Sequence, residues 1–259
     1  MIERVAAGLL LAGALAAAAR RQRSLSPSGA VAAVLVGAAA VVAGWSWAAL
    51  LVTFFITSTA LSRYRHTVRH ARIADIVEKG DERDAMQVFA NGGLFAVAAV
   101  AASVTGDPNW AAAGMGSLAA ATADTWSTEI GTLAGRPPRS IVSFEALEPG
   151  ASGGVTVPGT LASLGGATLI ALTGLVVGLT PNPVPVLVGG VAGSLADSLA
   201  GATVQERRWC DRCSRFTERR IHTCGAVTRV SGGVPGLRND LVNLMCTLVG
   251  GGVAVLLAR

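Results

Sequence analysis

The chain has little charge. Only 14% of its 259 residues are charged, against about 25% in an ordinary soluble domain. Aromatic residues make up 5%, and there are four cysteines. Scarce charge beside 51% hydrophobic residues excludes a disordered chain, which is poor in apolar side chains and rich in charge. It also argues against a soluble globular domain, because one core cannot hide that much apolar surface. Four cysteines at this length build no secreted disulfide framework. What is abundant is alanine, valine, leucine and glycine, with a mean hydropathy of +0.53. The class these numbers leave is an integral membrane protein.

Hydropathy marks eight segments long enough, or nearly so, for a hydrocarbon core of about 30 Å. They are residues 4–19, 28–44, 46–62, 86–105, 110–131, 158–179, 184–203 and 239–257. The first lacks the basic start of a signal peptide and is followed by arginines, so it is read as a span. The 21 basic residues are distributed unevenly. Segments 20–27, 63–85, 132–157 and 204–238 hold 3, 6, 2 and 8 of them, 19 in all, leaving only Arg4 and Arg259. The intervening loops at 44–45, 105–109 and 179–183 have no lysine or arginine. The positive-inside rule then puts every basic loop in the cytosol and both termini outside the cell membrane. Trp45, Trp47 and Trp110 are expected at the outer interface. The net charge of +5 is accounted for by these loops, so no nucleic-acid partner is expected. The expected fold is all-α, one polytopic transmembrane domain over residues 1–259.

An internal repeat is expected too. Gly116-Ser117-Leu118-Ala119 recurs as Gly193-Ser194-Leu195-Ala196, and Ser152-Gly153-Gly154-Val155 recurs as Ser231-Gly232-Gly233-Val234. The offsets, 77 and 79 residues, make spans five–six and seven–eight parallel copies of one unit.

Four acids lie in or at the ends of spans: Asp124, Glu129, Asp197 and Asp240. A carboxylate inside a span costs about 2.5–3.5 kcal/mol even on lenient scales, so each needs a reason. The topology brings all four to the cytosolic half, on three helices. Around them stand Thr125, Ser127, Thr128, Ser194, Ser198, Asn239 and Asn243, all bearing oxygen. A hard cation such as Mg²⁺ takes oxygen ligands and offsets clustered negative charge. Helix caps and structural ion pairs are the competing reading, most of all for Asp240. Gly190, Ser194 and Ser198, and likewise Gly193, Asp197 and Gly201, repeat at four-residue spacing. Such a stripe allows close helix packing or makes room for a nucleotide. The segment from Pro149 to Thr156, including Gly153 and Gly154, enters a helix and suits phosphate through its backbone N–H groups. It lacks the Gly-Lys-Ser/Thr of a Walker A loop, and a plain linker is the alternative. Arg139 and Arg238 flank the two glycine-rich segments and could grip phosphate oxygens.

Within segment 204–238, Cys210, Cys213, His222 and Cys224 form a C-x2-C-x8-H-x-C pattern. Four such ligands suit a closed structural zinc site, with free thiols the other reading. Cys246 is expected as a small core residue, and His66 and His70 as part of a solvated helical face.

Taken together, Asp124-Thr-Trp-Ser-Thr-Glu129-Ile-Gly131, Gly153-Gly154-Val-Thr156-Val-Pro-Gly159-Thr, the stretch from Gly193 to Gln205 and Asn239-Asp240-Leu-Val-Asn243 resemble the membrane family of transmembrane protein 19 and plant phytyl-phosphate kinase. The resemblance runs from about residue 25 onward. It implies a CTP-dependent kinase that converts a prenyl monophosphate to the diphosphate, in isoprenoid metabolism. The family is distantly similar to dolichol kinase and to CDP-diacylglycerol and CDP-archaeol synthases, whose Asp-x-x-Ala segment is matched by Asp197 to Ala200; the later glycine of that segment is Val204 here. On this reading Asp124, Asp197 and Asp240 hold Mg²⁺, Glu129 holds a second metal, and the glycine-rich loops with Arg139 hold phosphate. A cytidylyltransferase making a CDP-lipid and an ion-coupled secondary transporter are the alternatives.

Overall fold

A computed structural model describes residues 2–78 and 82–259. Lys79, counted above among the loop cations, and the side chain of Arg4 lie outside the described residues. The elements in chain order are α1 (Ile2–Arg21), α2 (Pro27–Ala43), α3 (Trp45–Arg63), α4 (His66–Ile73), α5 (Ala85–Thr105), α6 (Pro108–Gly131), α7 (Val157–Val176), α8 (Val184–Thr203) and α9 (Asn239–Ala258). Five of these, α3, α5, α7, α8 and α9, are long and apolar enough to cross a membrane, while α2 is apolar but shorter. The helix starts are locally encoded. Ser26 Oγ accepts from Gly29 N and Asp107 Oδ1 from Asn109 N, each just before a proline in the first turn. Asp84 and Gln87 form a reciprocal capping box at α5. These groups satisfy N–H donors that a helix start otherwise leaves open.

Helix α6 is the axis of the bundle, with α3, α5, α7, α8 and α9 packed against it. Every residue from Met115 to Ala123 is buried. Small residues permit this. A Cβ on Gly193 would lie 2.4 Å from Ala120 Cβ and 2.6 Å from the Cys246 oxygen, and one on Gly116 would lie 2.5 Å from the Gly250 oxygen. The stripe through Gly190 and Gly193 is therefore used for helix packing. Phe95, Leu50, Leu118 and Ile170 fill the wider part of the core. Trp47 belongs there too: it is 4% exposed, its ring centroid 5.3 Å from that of Phe95. The interfacial expectation for Trp47 is thus corrected; α3 turns it toward α5 and α6, while Trp45 stays exposed.

The all-α expectation holds for the bundle and fails for the connecting segments. β1 (Arg139–Ser140) pairs antiparallel with β2 (Gly154–Val155) just before α7. Residues 204–238 contain a three-stranded antiparallel sheet, order β4-β3-β5, from β3 (Arg207–Cys210), β4 (Arg215–Thr217) and β5 (Arg229–Gly232). Strands of two to four residues, rich in arginine, lack the long alternation that would reveal them in a sequence.

The four basic segments meet at one end of the bundle. Arg63 Nη2 donates to the Gln22 carbonyl at 3.1 Å, and Arg72 Nη1 to the Ala134 carbonyl at 2.9 Å. Thr217 Oγ1 donates to the Asp75 carbonyl at 2.7 Å.

Candidate functional site

A cavity of about 700 Å³ opens at this end, lined by helix ends and the basic segments. The last turns of α6 contribute Asp124, Thr125, Ser127 and Thr128, those of α8 contribute Asp197 and Ser198, and the start of α9 contributes Asn239, Asp240 and Asn243. The convergence of three acids from three helices is thus realised. Asp124 and Asp197 face each other within hydrogen-bonding reach. Asp197 Oδ2 is buried and finds no hydrogen-bond partner among the described residues. Two enclosed carboxylates at that approach need a proton or a cation between them. With hydroxyl and amide oxygens alongside, the donor set fits a hard divalent ion.

Segments remote in sequence complete the wall. Glu218, just past β4, accepts a hydrogen bond from Gln205 Nε2 at 2.9 Å and another from Ser152 Oγ. Burial pushes its carboxyl up to about 7, with the charge of Glu78 adding to the shift and the two hydrogen bonds opposing it. Glu206 goes the other way. The Gly236 N–H, 2.6 Å from Oε2, holds it below the usual carboxylate range, and Arg208, 2.5 Å from Oε1, helps. Glu206 thereby ties the approach to α9 to the sheet. Neither glutamate stands out in the sequence, because each sits in a polar loop without a motif.

Arg23, Arg63, Arg69, Arg83 and Arg238 line the same cavity and supply positive charge to it. One of the predicted acids is committed here. Glu129 is buried, ion-paired with Arg69, and accepts from Ser62 Oγ at 2.7 Å. It lines the cavity as well, but a guanidinium already balances its charge, which favours the structural pair over the expected second metal site. Arg83 donates to the same Ser62 hydroxyl at 3.2 Å; burial lowers its pKa, with Glu129 opposing and Arg69 reinforcing the shift.

The glycine-rich segment lies at the rim. Gly153 and Gly154 line the cavity. Gly153 has φ +80°, and a Cβ there would lie 2.5 Å from Ala202, so only glycine lets this loop sit against the end of α8. Gly201 is its counterpart, where a Cβ would lie 2.8 Å from the Gly153 nitrogen. Thr156 lines the cavity and caps α7, its Oγ1 accepting from Gly159 N at 3.1 Å. Thr156 at the start of α7 and Asn239 and Asp240 at the start of α9 line this space, and α9 begins without a side-chain cap. The helix starts beside it and several arginines favour an anion. Three predicted residues lie off the cavity. Arg139 turns back to the Phe144 carbonyl at 2.8 Å, Ser194 is buried in helix packing, and Gly201 touches the loop rather than the space.

A second, apolar cleft of about 110 Å³ runs among α1, α2, α3 and α5. It shares Arg83, Gln87 and Asn91 with the polar cavity. The Cys/His residues gather outside both, on the turns of the sheet.

Comparison with known proteins places the chain in a family. An uncharacterized membrane protein of Methanocaldococcus jannaschii is 34% identical over 262 residues, covering 98% of this chain and 94% of that protein. Protein PGR of Arabidopsis thaliana is 30% identical over 272 residues, covering 93% of this chain and 91% of that protein. No solved structure matches the chain. The profile of the integral membrane protein family DUF92 matches residues 10–251, and the chain belongs to that family.

Proposed function

We propose that the chain is a lipid-phosphate kinase that transfers the γ-phosphoryl group of CTP to a prenyl (phytyl-like) monophosphate at the cytosolic face of the membrane. The observation that carries this reading is the pairing of two spaces. A polar cavity lined by acids and arginines meets an apolar cleft at Arg83, Gln87 and Asn91. A substrate with a phosphate head and a hydrocarbon tail has that division of polarity. The motif resemblance described above supports CTP and the prenyl acceptor.

Phosphoryl transfer depends on positioning and charge neutralisation more than on covalent help from the protein. An oxygen of the acceptor monophosphate forms the new bond to the γ-phosphorus. The bond from that phosphorus to the β,γ-bridging oxygen breaks, and CDP leaves with that oxygen. The acceptor is already an anion, so no strong base is required. Asp124, Asp197 and Asp240 would hold Mg²⁺, which offsets the charge of the nucleotide phosphates. Thr128, Ser198, Asn239 and Asn243 offer polar contacts beside them, and Arg238 and the backbone of Gly153 and Gly154 offer donors for phosphate oxygens. The arginines lining the cavity steer the anionic head toward it.

The same reading takes the eight long helices as eight crossings with both termini outside, α6–α7 and α8–α9 being parallel copies. The clustering of the basic segments at one end of the bundle supports a single cytosolic face.

The test is turnover in detergent with γ-labelled CTP, Mg²⁺ and prenyl monophosphates of different length, followed by product mass. A labelled prenyl diphosphate with equimolar CDP is expected. Cytidine appearing in the lipid with release of pyrophosphate would convert the reading to a cytidylyltransferase, and absence of turnover with every acceptor would remove it.

A further inference from the structure

We propose that Cys210, Cys213, His222 and Cys224 bind one zinc ion, and that this ion is the clamp holding the three-stranded sheet over the cavity. One ligand atom from each residue lies within 4.8 Å of all the others. The sulfurs of Cys210 and Cys224 are 3.6 Å apart. A tetrahedral zinc with Zn–S bonds of about 2.3 Å requires sulfur–sulfur edges of about 3.8 Å. All three thiols are free of disulfide bonds.

His222 points independently to a ligand. It is 4% exposed, and its Nε2 is buried without a hydrogen-bond partner among the described residues. An orphaned imidazole nitrogen in a polar loop is costly unless something binds it. Its backbone is well placed, with His222 N donating to the Ala226 carbonyl at 2.9 Å and Gly225 at φ +82° closing the turn. The two ligand pairs come from two turns, one leaving β3 and one following β4, as in small zinc-stapled modules. Three thiolates and one imidazole favour zinc over the oxygen-seeking ions expected in the cavity.

The segment also needs a staple. Its strands are three or four residues long, and the edge-on Trp209–Phe216 pair leaves Phe216 60% exposed. A piece this small cannot build a sufficient core of its own. Its attachment to the rest of the molecule runs directly beside the ligands. Thr223 Oγ1 donates to Asp75 Oδ1 at 2.6 Å, and Glu218 N donates to the Ile76 carbonyl at 2.8 Å. Arg219 Nη1 donates to the Val77 carbonyl at 2.9 Å. Glu218, between those contacts, faces the cavity. The ion thus fixes a cavity residue and the segment after α4 without touching substrate.

The experiment is elemental analysis of protein purified without a metal-affinity tag, with Cys210→Ser, Cys213→Ser and, as the control inside the bundle, Cys246→Ser. About one zinc per chain is expected in the unmodified protein and in C246S, with zinc lost from both C210S and C213S. Cobalt-exchanged protein should show the absorption of a tetrahedral, thiolate-rich site, absent from C213S. Limited proteolysis of zinc-depleted protein should cut within 204–238 while the helices stay intact. Purified protein free of zinc, or C213S retaining a full equivalent, overturns the site. Unchanged proteolysis after depletion overturns the clamp. These readouts involve no CTP or lipid turnover, so they stand or fall apart from the kinase reading.

Discussion

Helices α6, α8 and α9 behave differently at their middles and at one of their ends. In the middle, Gly116, Gly189, Gly193 and Gly250 bring backbones into contact, and a Cβ on Gly250 would lie 2.7 Å from the Gly116 oxygen. About one to three turns away the same helices carry Asp124, Asp197 and Asp240 and border a cavity of about 700 Å³. Glycine and alanine let helices approach in a setting where water supplies no drive to pack them. The carboxylates line the open part, where enclosed acids need a proton or a cation between them. The contrast teaches that tight packing is the support that lets an expensive cluster of acids persist.

The strongest way to break the contrast is to open the closed part. Gly193→Leu places atoms where the Cys246 oxygen and Ala120 already lie. Overpacking a core costs about 1–3 kcal/mol, and conflict with backbone costs more, so we expect no monodisperse folded protein by size exclusion in detergent. A normal profile and melting temperature would show that α8 has slack that the structure denies it.

Neutralising the open part should do the reverse. On the proposed kinase reading, Asp197→Asn is expected to lower CTP-dependent turnover by about a hundredfold or more, since metal-assisted stabilisation amounts to several kcal/mol. The fold should be unharmed or slightly more stable, because a carboxylate is costly there. Turnover near that of the unmodified protein would take Asp197 out of the site, and a collapsed melting temperature would make it structural.

Glu129 sharpens the distinction between acids. Arg69→Met leaves it buried without its cation, which should cost about 3 kcal/mol, whereas Arg69→Met with Glu129→Gln should recover most of the loss. Chemical denaturation of the two variants compares them directly; equal stability would sever the pair.

Glu218 predicts a smaller, pH-dependent effect. Its carboxyl is raised from 4.5 to about 7 in the folded protein. The folded state therefore holds the extra proton in that window, and stability falls as pH rises from about 4.5 through about 7. Melting curves across this range, without added divalent cation, should show that slope, and Glu218→Gln should flatten it. The smallest expected effect is at Arg139: Arg139→Ala should leave turnover unchanged, because the guanidinium faces the Phe144 carbonyl and not the cavity.

Much of the bundle was legible in the sequence. The span expected at 184–203 is α8 residue for residue, and that at 86–105 differs from α5 by one residue. Apolar runs bounded by Pro, Gly and capping residues carry their limits locally. The meeting of Asp124, Asp197 and Asp240 was legible for the same reason, since helix length and alternating direction bring them to one depth. The Cys/His cluster followed from ligand spacing. The sheet in 204–238 was hidden, because its strands are too short for a period to register.

The sequence by itself determined the membrane class, the helix limits and which end collects the charge, all consequences of hydropathy and repeat distance along one chain. Tertiary structure decided which acids are ion-paired and which are left facing the cavity. Ser62 reaches Glu129 across 67 positions, and Ser152 reaches Glu218 across 66. Trp47 enters the core by the same kind of long-range choice, 5.3 Å from Phe95 between ring centroids, whereas Arg139 leaves the site for a carbonyl only five residues away. A side chain's partner depends on which helix faces it, and no local pattern encodes that. The small residues of α6, α8 and α9 allow the close approach, but only the assembled bundle selects the face on which it occurs.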